Sequence, residues 1–193
     1  MHGSEPSCHE DFLILWQSSC FSLYSMDIIR RYNISFPSER EFISEDVFFN
    51  TDYFLKSRRV AILNEAFYNY CLSENSLTTT YSENRFSRGV AFYIEHLKRL
   101  SQILPDKESF NLAKERVQRS FLASIRYCII QICASYKYKE ARSLIAEICS
   151  NKILINALKE YPWNKNPLKY RVFNYALKLK QLGFLYLFVF LKK

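Results

Sequence analysis

The sequence predicts an α+β fold that is predominantly helical, with a short strand pair in its first half and a helical bundle in its second. Two patterns carry this. Residues 59–64 (RVAILN) alternate and residues 66–72 (AFYNYCL) alternate in part, with Asn64-Glu65 between them, which reads as two paired strands. Beyond Thr80 the apolar residues recur every three or four positions, the period of a helix with one buried face. Only three glycines occur in 193 residues, so few turns need a positive φ, and a composition that is 49% hydrophobic is ample for a real core. The division expected is residues 1–80 and residues 81–193, the latter ending in a basic, apolar tail over 161–193.

Taken in order, residues 1–11 (MHGSEPSCHED) are polar and lack the basic start and apolar run of a secretory signal. His2, Cys8 and His9 lie close together there, but no fourth ligand stands at zinc-finger spacing. The packed chain is expected to begin over residues 12–16. Ser25 then reads as the cap of a short helix that Asn33 ends, with Ile28, Ile29 and Tyr32 facing inward. At Ser44-Glu45-Asp46 a polar run meets a strongly apolar one. Ser44 reads as an N-cap, and Glu45 and Asp46 as first-turn residues opposite the positive end of the helix dipole. By spacing alone, that dipole accounts for the pair.

In the second half, Phe86, Val90, Tyr93, Ile94, Leu97, Leu100 and Leu104 mark one helix, which Pro105-Asp106 stops before capping the next. Phe110, Ala113, Val117, Phe121, Ile125, Cys128 and Ile132 continue the step in a longer helix. A third runs through Ala141, Leu144, Ile145 and Ile148, and a fourth over residues 151–161 before Pro162. These stripes read as core, and His96 beside one of them as a packed or solvated histidine. Asn166-Pro167 looks like an N-cap with proline at the first helical position, after which Leu168, Val172, Tyr175 and Leu179 share a face.

The stretch 36–79 resembles the second half of the catalytic domain of family 2 glycosyltransferases, the inverting enzymes of the GT-A type. In that family a "GED" or "SED" opens a helix ending in "FxxxYF", and a strand pair like "IAxINEPLYxYRxxxNSLT" follows. Here the same order stands as Ser44-Glu45-Asp46, Phe49 with Tyr53-Phe54, Ala61-Ile62-Leu63-Asn64-Glu65, Tyr68-Asn69-Tyr70 and Asn75-Ser76-Leu77-Thr78. Upstream, Ser19-Cys20-Phe21-Ser22-Leu23-Tyr24 resembles "SxWNKLY", and Asn33-Ile34-Ser35-Phe36-Pro37 resembles "NIxFPE". The likeness covers residues 18–80 and rests on order and spacing rather than on any one triplet.

The resemblance implies transfer of a sugar from a nucleotide-sugar donor to a glycan or lipid-linked acceptor in surface polysaccharide synthesis. It assigns the catalytic base to Asp46, with Glu45 and Tyr70 binding substrate. It also implies a divalent metal, Mg or Mn, for the complete enzyme, held by an Asp-x-Asp in a donor-binding half. No two of Asp11, Asp27, Asp46, Asp52 and Asp106 are separated by one residue, and the family's opening "VSVIIPxYN" strand is absent. The expectation is therefore an acceptor-side half, a remnant of the GT-A sheet carrying a helical tail, with no cofactor of its own and inactive alone. Its uncovered sheet edge favours self-association. Cys71 stands where many family members place an arginine or histidine, and a thiol cannot replace that charged contact.

The six cysteines form no C-x-x-C pair, and Cys128, Cys133 and Cys149 fall in apolar helical runs, which fits buried thiols in a reducing cytoplasm. Residues 161–193 hold seven basic side chains and no acidic one, while residues 1–160 are nearly balanced at 20 basic and 19 acidic. Residues 184–191 (FLYLFVFL) are wholly apolar but far short of the roughly twenty needed to span a bilayer. Two fates are open to them: lying in the headgroup region of an anionic membrane, through residues 166–193, or packing on the bundle. A cytoplasmic protein, peripheral on the inner face of the membrane, would follow from the first. A non-catalytic helical interaction module at that surface is the alternative to a transferase remnant. Nucleic-acid binding is not expected despite a pI near 9.2, because the charge is confined to the tail and the aromatics are not interleaved with lysine.

Overall fold

The computed structural model describes residues 18–38, 40–63, 65, 67–69, 71, 82–104 and 106–190. The N-terminal stretch with His2, Cys8 and His9, the expected packed start at 12–16, and Tyr70, Asn75, Ser76, Leu77, Thr78 and Pro105 lie outside the described residues. Eight α-helices occur among those described: α1 (Met26–Tyr32), α2 (Glu45–Lys56), α3 (Arg85–Ile103), α4 (Lys107–Ser135), α5 (Tyr138–Ser150), α6 (Lys152–Glu160), α7 (Leu168–Lys178) and α8 (Leu182–Phe190). Short 3₁₀ turns cover Ser19–Phe21 and Trp163–Lys165. The fold is predominantly helical.

Helix α4 forms the spine. Its 29 residues contain no glycine or proline, and Val117, Phe121, Leu122, Ile125, Cys128, Ile129 and Ile132 make a continuous buried stripe at steps of three and four. Asp106 caps it, accepting a hydrogen bond from the Ser109 N–H at 2.8 Å. Helix α3 lies along α4, with the Tyr93 ring stacked on Phe121 at a centroid distance of 4.3 Å. Helices α5, α6 and α8 also pack on α4, and α7 closes the far side by packing on α6 and α8. At the start of α6, the Asn151 side chain accepts from the N–H groups of Ile153 and Leu154 at 2.9 and 3.2 Å, satisfying two donors that the helix leaves open.

A separate aromatic cluster surrounds α2. Phe36 stacks on Phe49 at 3.9 Å, Tyr24 meets both Phe49 and Tyr53 edge-on, and Phe48 is fully buried between Phe42 and Phe92. Through Phe48 the N-terminal elements join the bundle. Helix α1 ends as expected at Asn33, which takes the left-handed conformation (φ 49°), with the N–H groups of Asn33 and Ile34 returning to the carbonyls of Arg30 and Ile29. Tyr32, expected to face inward, is instead exposed and lies under the Lys56 ammonium at 5.3 Å.

Four sequence-based expectations need correction. No strand occurs among the described residues, so the strand pair over 59–72 is not seen. Val60, Ile62 and Leu63 are 56, 58 and 68% exposed: their alternation meets neither a neighbouring strand nor a helix to bury against, and a lone hairpin is marginal without one. Ser44 does precede α2, but in the left-handed conformation (φ 68°), with no hydrogen bond from its side chain to the first turn. Ser25 likewise makes no side-chain cap. Asn166 is buried and accepts from the Tyr161 hydroxyl at 3.0 Å, leaving Pro167 as the residue that leads into α7. The apolar run at 184–190 forms α8, with Leu185 fully buried and Leu182, Tyr186, Phe188 and Val189 packed against the core.

Candidate functional site at the mouth of helix α2

Asp46 is held at the first turn of α2 by the loop before it and by the 3₁₀ turn beside it. Arg88 of α3 donates to the Phe42 carbonyl at 2.8 Å, which ties the approach to α2 onto the bundle. Gly89, the next residue of α3, lets that loop come close: a Cβ there would stand 3.2 Å from Ile43 Cδ1. On the other side, the Ser19 hydroxyl donates to Asp46 Oδ1 at 2.9 Å, across 27 residues of sequence. The contact is repeated along α2. The Tyr24 hydroxyl donates to Asn50 Oδ1, and the Ser25 N–H donates to the Tyr53 hydroxyl at 2.7 Å. Residues 18–25 are thus laced to one face of α2 over two turns.

Asp46 is half-buried, and its Oδ2 accepts no hydrogen bond from the described residues. Among the described residues, one oxygen is therefore held and the other has no hydrogen-bond donor. Burial pushes the Tyr24 hydroxyl above its usual pKa, and the nearby Asp46 charge adds to the rise, so the tyrosine stays a neutral donor. Glu45 is half-buried at the preceding position, and adjacent helical residues project about 100° apart, so the two carboxylates do not converge on one point. Tyr70, the third residue assigned by resemblance, lies outside the described residues. Cys71 is exposed.

Two hollows among the described residues lie away from Asp46, which lines neither. One, of about 370 Å³, lies on another face of α2, between Asn33, Ile34, Ser35 and Pro37 on one side and Asp52, Lys56 and Arg99 on the other. Sequence reasoning singled out its 33–37 wall but missed its charged residues. Arg99 Nη1 pairs with Asp52 Oδ2 at 2.9 Å, its Nε pairs with Glu95 at 3.0 Å, and its guanidinium lies 4.5 Å from the centroid of the Phe48 ring. The second hollow, of about 510 Å³, is walled by Trp163, Arg171, Val172 and Tyr175 at the other end of the molecule. No three His, Cys, Asp or Glu side chains converge as a metal site among the described residues. Nor is any helix among them long and apolar enough to cross a membrane.

No family model, curated protein or solved structure matches the chain.

Ser19 is the residue that sequence reasoning passed over. Its signal was present in the segment 19–24, which had been singled out for resemblance, but its partner could not be read from spacing.

Proposed function

We propose that the chain is the acceptor-side part of an inverting family 2 glycosyltransferase, derived from a GT-A sheet. It would serve transfer of a sugar from a nucleotide-sugar to a glycan or lipid-linked acceptor, and would need a donor-binding segment that these 193 residues do not contain. The observation that carries this reading is the Ser19–Asp46 hydrogen bond. The opening segment of the likeness and its Ser44-Glu45-Asp46 triplet, separated in sequence, meet at the residue to which the likeness assigns the chemistry. In that role Asp46 Oδ2 takes the proton of the acceptor hydroxyl as its oxygen bonds to the anomeric carbon, and the bond from that carbon to the nucleoside diphosphate breaks with its electron pair. The departing diphosphate needs a positive counter-charge, and no basic side chain among the described residues forms an ion pair with Asp46. The exposed apolar segment 60–63 is consistent with a sheet whose remaining strands belong to the absent part.

A radiolabelled nucleotide-sugar assay with broad acceptors, together with direct glycan and lipid-linked acceptor binding, tests this. The expected result is no turnover by the chain alone, with acceptor binding retained in Asp46→Asn, since the amide keeps the shape and removes the basicity. Robust turnover by the chain alone would refute the absent-segment reading. A second reading, a non-catalytic helical interaction module, is favoured by the placement of both hollows away from Asp46. Failure to bind any acceptor would decide for it.

A further inference from the structure

Helix α7 carries two apolar faces. Phe173, Ala176 and Leu177 are buried against the bundle, which accounts for the first. Leu168, Val172 and Tyr175, followed by Leu179 just past the helix, recur at steps of four, three and four on a second face, roughly 120° round the helix, and are 70, 40, 54 and 47% exposed. A surface helix ordinarily has one apolar stripe, so the fold explains one of these and not the other. The outer stripe runs into the hollow of about 510 Å³ at Trp163.

The rim of this stripe is of one sign. Lys169, Arg171 and Lys178 flank it on both sides and are exposed, and residues 161–193 hold no carboxylate side chain. The carboxylate nearest in sequence, Glu160, is engaged by Lys114 at 2.7 Å and by Gln118 at 3.1 Å. Lys178 Nζ lies 5.2 Å from the Trp163 ring centroid, and Lys169 Nζ lies 4.9 Å from that of Tyr170. Lys178 thus edges the hollow at Trp163, where a lysine stem can cover apolar surface while its ammonium stays at the rim. Pairing with a second copy through this face would set like charges against each other.

We propose that the outer face of α7, with the hollow at Trp163, docks on an anionic phospholipid leaflet. The helix lies in the headgroup plane. Leu168, Val172, Tyr175 and Leu179 reach the acyl boundary, and Lys169, Arg171 and Lys178 meet lipid phosphates. Helix α8, the more apolar segment by sequence, turns Leu182, Leu185, Tyr186, Phe188 and Val189 to the core and, among its described side chains, leaves only Phe184 and Leu187 exposed, with no basic side chain between them.

Flotation of the full chain with vesicles of phosphatidylcholine, alone or mixed with phosphatidylglycerol, tests the proposal independently of any transferase role. Binding is expected to the mixed vesicles only and to fall in high salt. It should weaken about tenfold or more in Val172→Glu/Tyr175→Glu and in Arg171→Glu/Lys178→Glu. The second variant changes only exposed charges, so it reports even where the first misfolds by circular dichroism. Wild-type protein that does not float with the mixed vesicles overturns the proposal, as do folded variants that float like wild type. Loss of binding in Phe184→Ser/Leu187→Ser alone would move the surface to α8. A lipid-indifferent dimer undone by Val172→Glu/Tyr175→Glu would assign the face to a second copy.

Discussion

His96 sits between the rings of Phe48 and Phe92 and is only 6% exposed. Burial, reinforced by the Arg99 charge, pushes its pKa down to about 4. In the unfolded chain a histidine titrates near 6.5, so between these values the unfolded state binds the proton that the folded state refuses. The histidine therefore costs nothing above about pH 6.5, its penalty grows as pH falls through that window, and it is complete below about 4. At pH 5 the loss should be about 2 kcal/mol. Thermal melts of wild type and His96→Leu over pH 7 to 4 check this: the wild type should lose more stability on acidification than the variant does. Ser44, like Asn33 and Lys180, has a left-handed backbone, a conformation that glycine adopts more cheaply.

At the scale of elements, α6 is short and opens without a loop from α5, so its first turn depends on Asn151. That side chain closes two backbone donors, and Asn151→Ala should lower stability by about 1 kcal/mol, measured by urea denaturation with no change in the slope of the transition. Helices of this kind were legible in the sequence because their causes are local: a 3.6-residue stripe in α3, α4 and α5, and a capping side chain at Asp106. The strands over 59–72 were not, because alternation becomes a strand only where another strand accepts it. Helix α7 shows a third case. The spacing of Leu168, Val172, Tyr175 and Leu179 was read as a shared face, yet spacing gives the face and not its direction. Only the packing of α6 and α8 reveals that this one turns outward.

For the whole molecule, the core of α3 to α8 is a single connected body that encloses three thiols. Cys128, Cys133 and Cys149 are buried, and burial pushes each up to about 11, whereas Cys20 and Cys71 are exposed. In a Cys8→Ser background, a thiol reagent at neutral pH should modify two groups rapidly and the other three only on denaturation. Fast reaction of all five would place the core elsewhere. The candidate site was half legible at this scale. Glu45 and Asp46 fell at a helix mouth as the dipole argument required, but the Ser19 contact joins positions 27 residues apart, and no periodicity spans that distance.

Arg99 binds α2 to α3 by two routes at once, through Asp52 and through the face of Phe48, while Glu95 on its own helix holds the guanidinium in place. Helix α2 is therefore clamped to the bundle within a few residues of Asp46, at Phe48 and Asp52. The aim of that carboxylate is set from two sides, by this clamp and by the Ser19 hydroxyl.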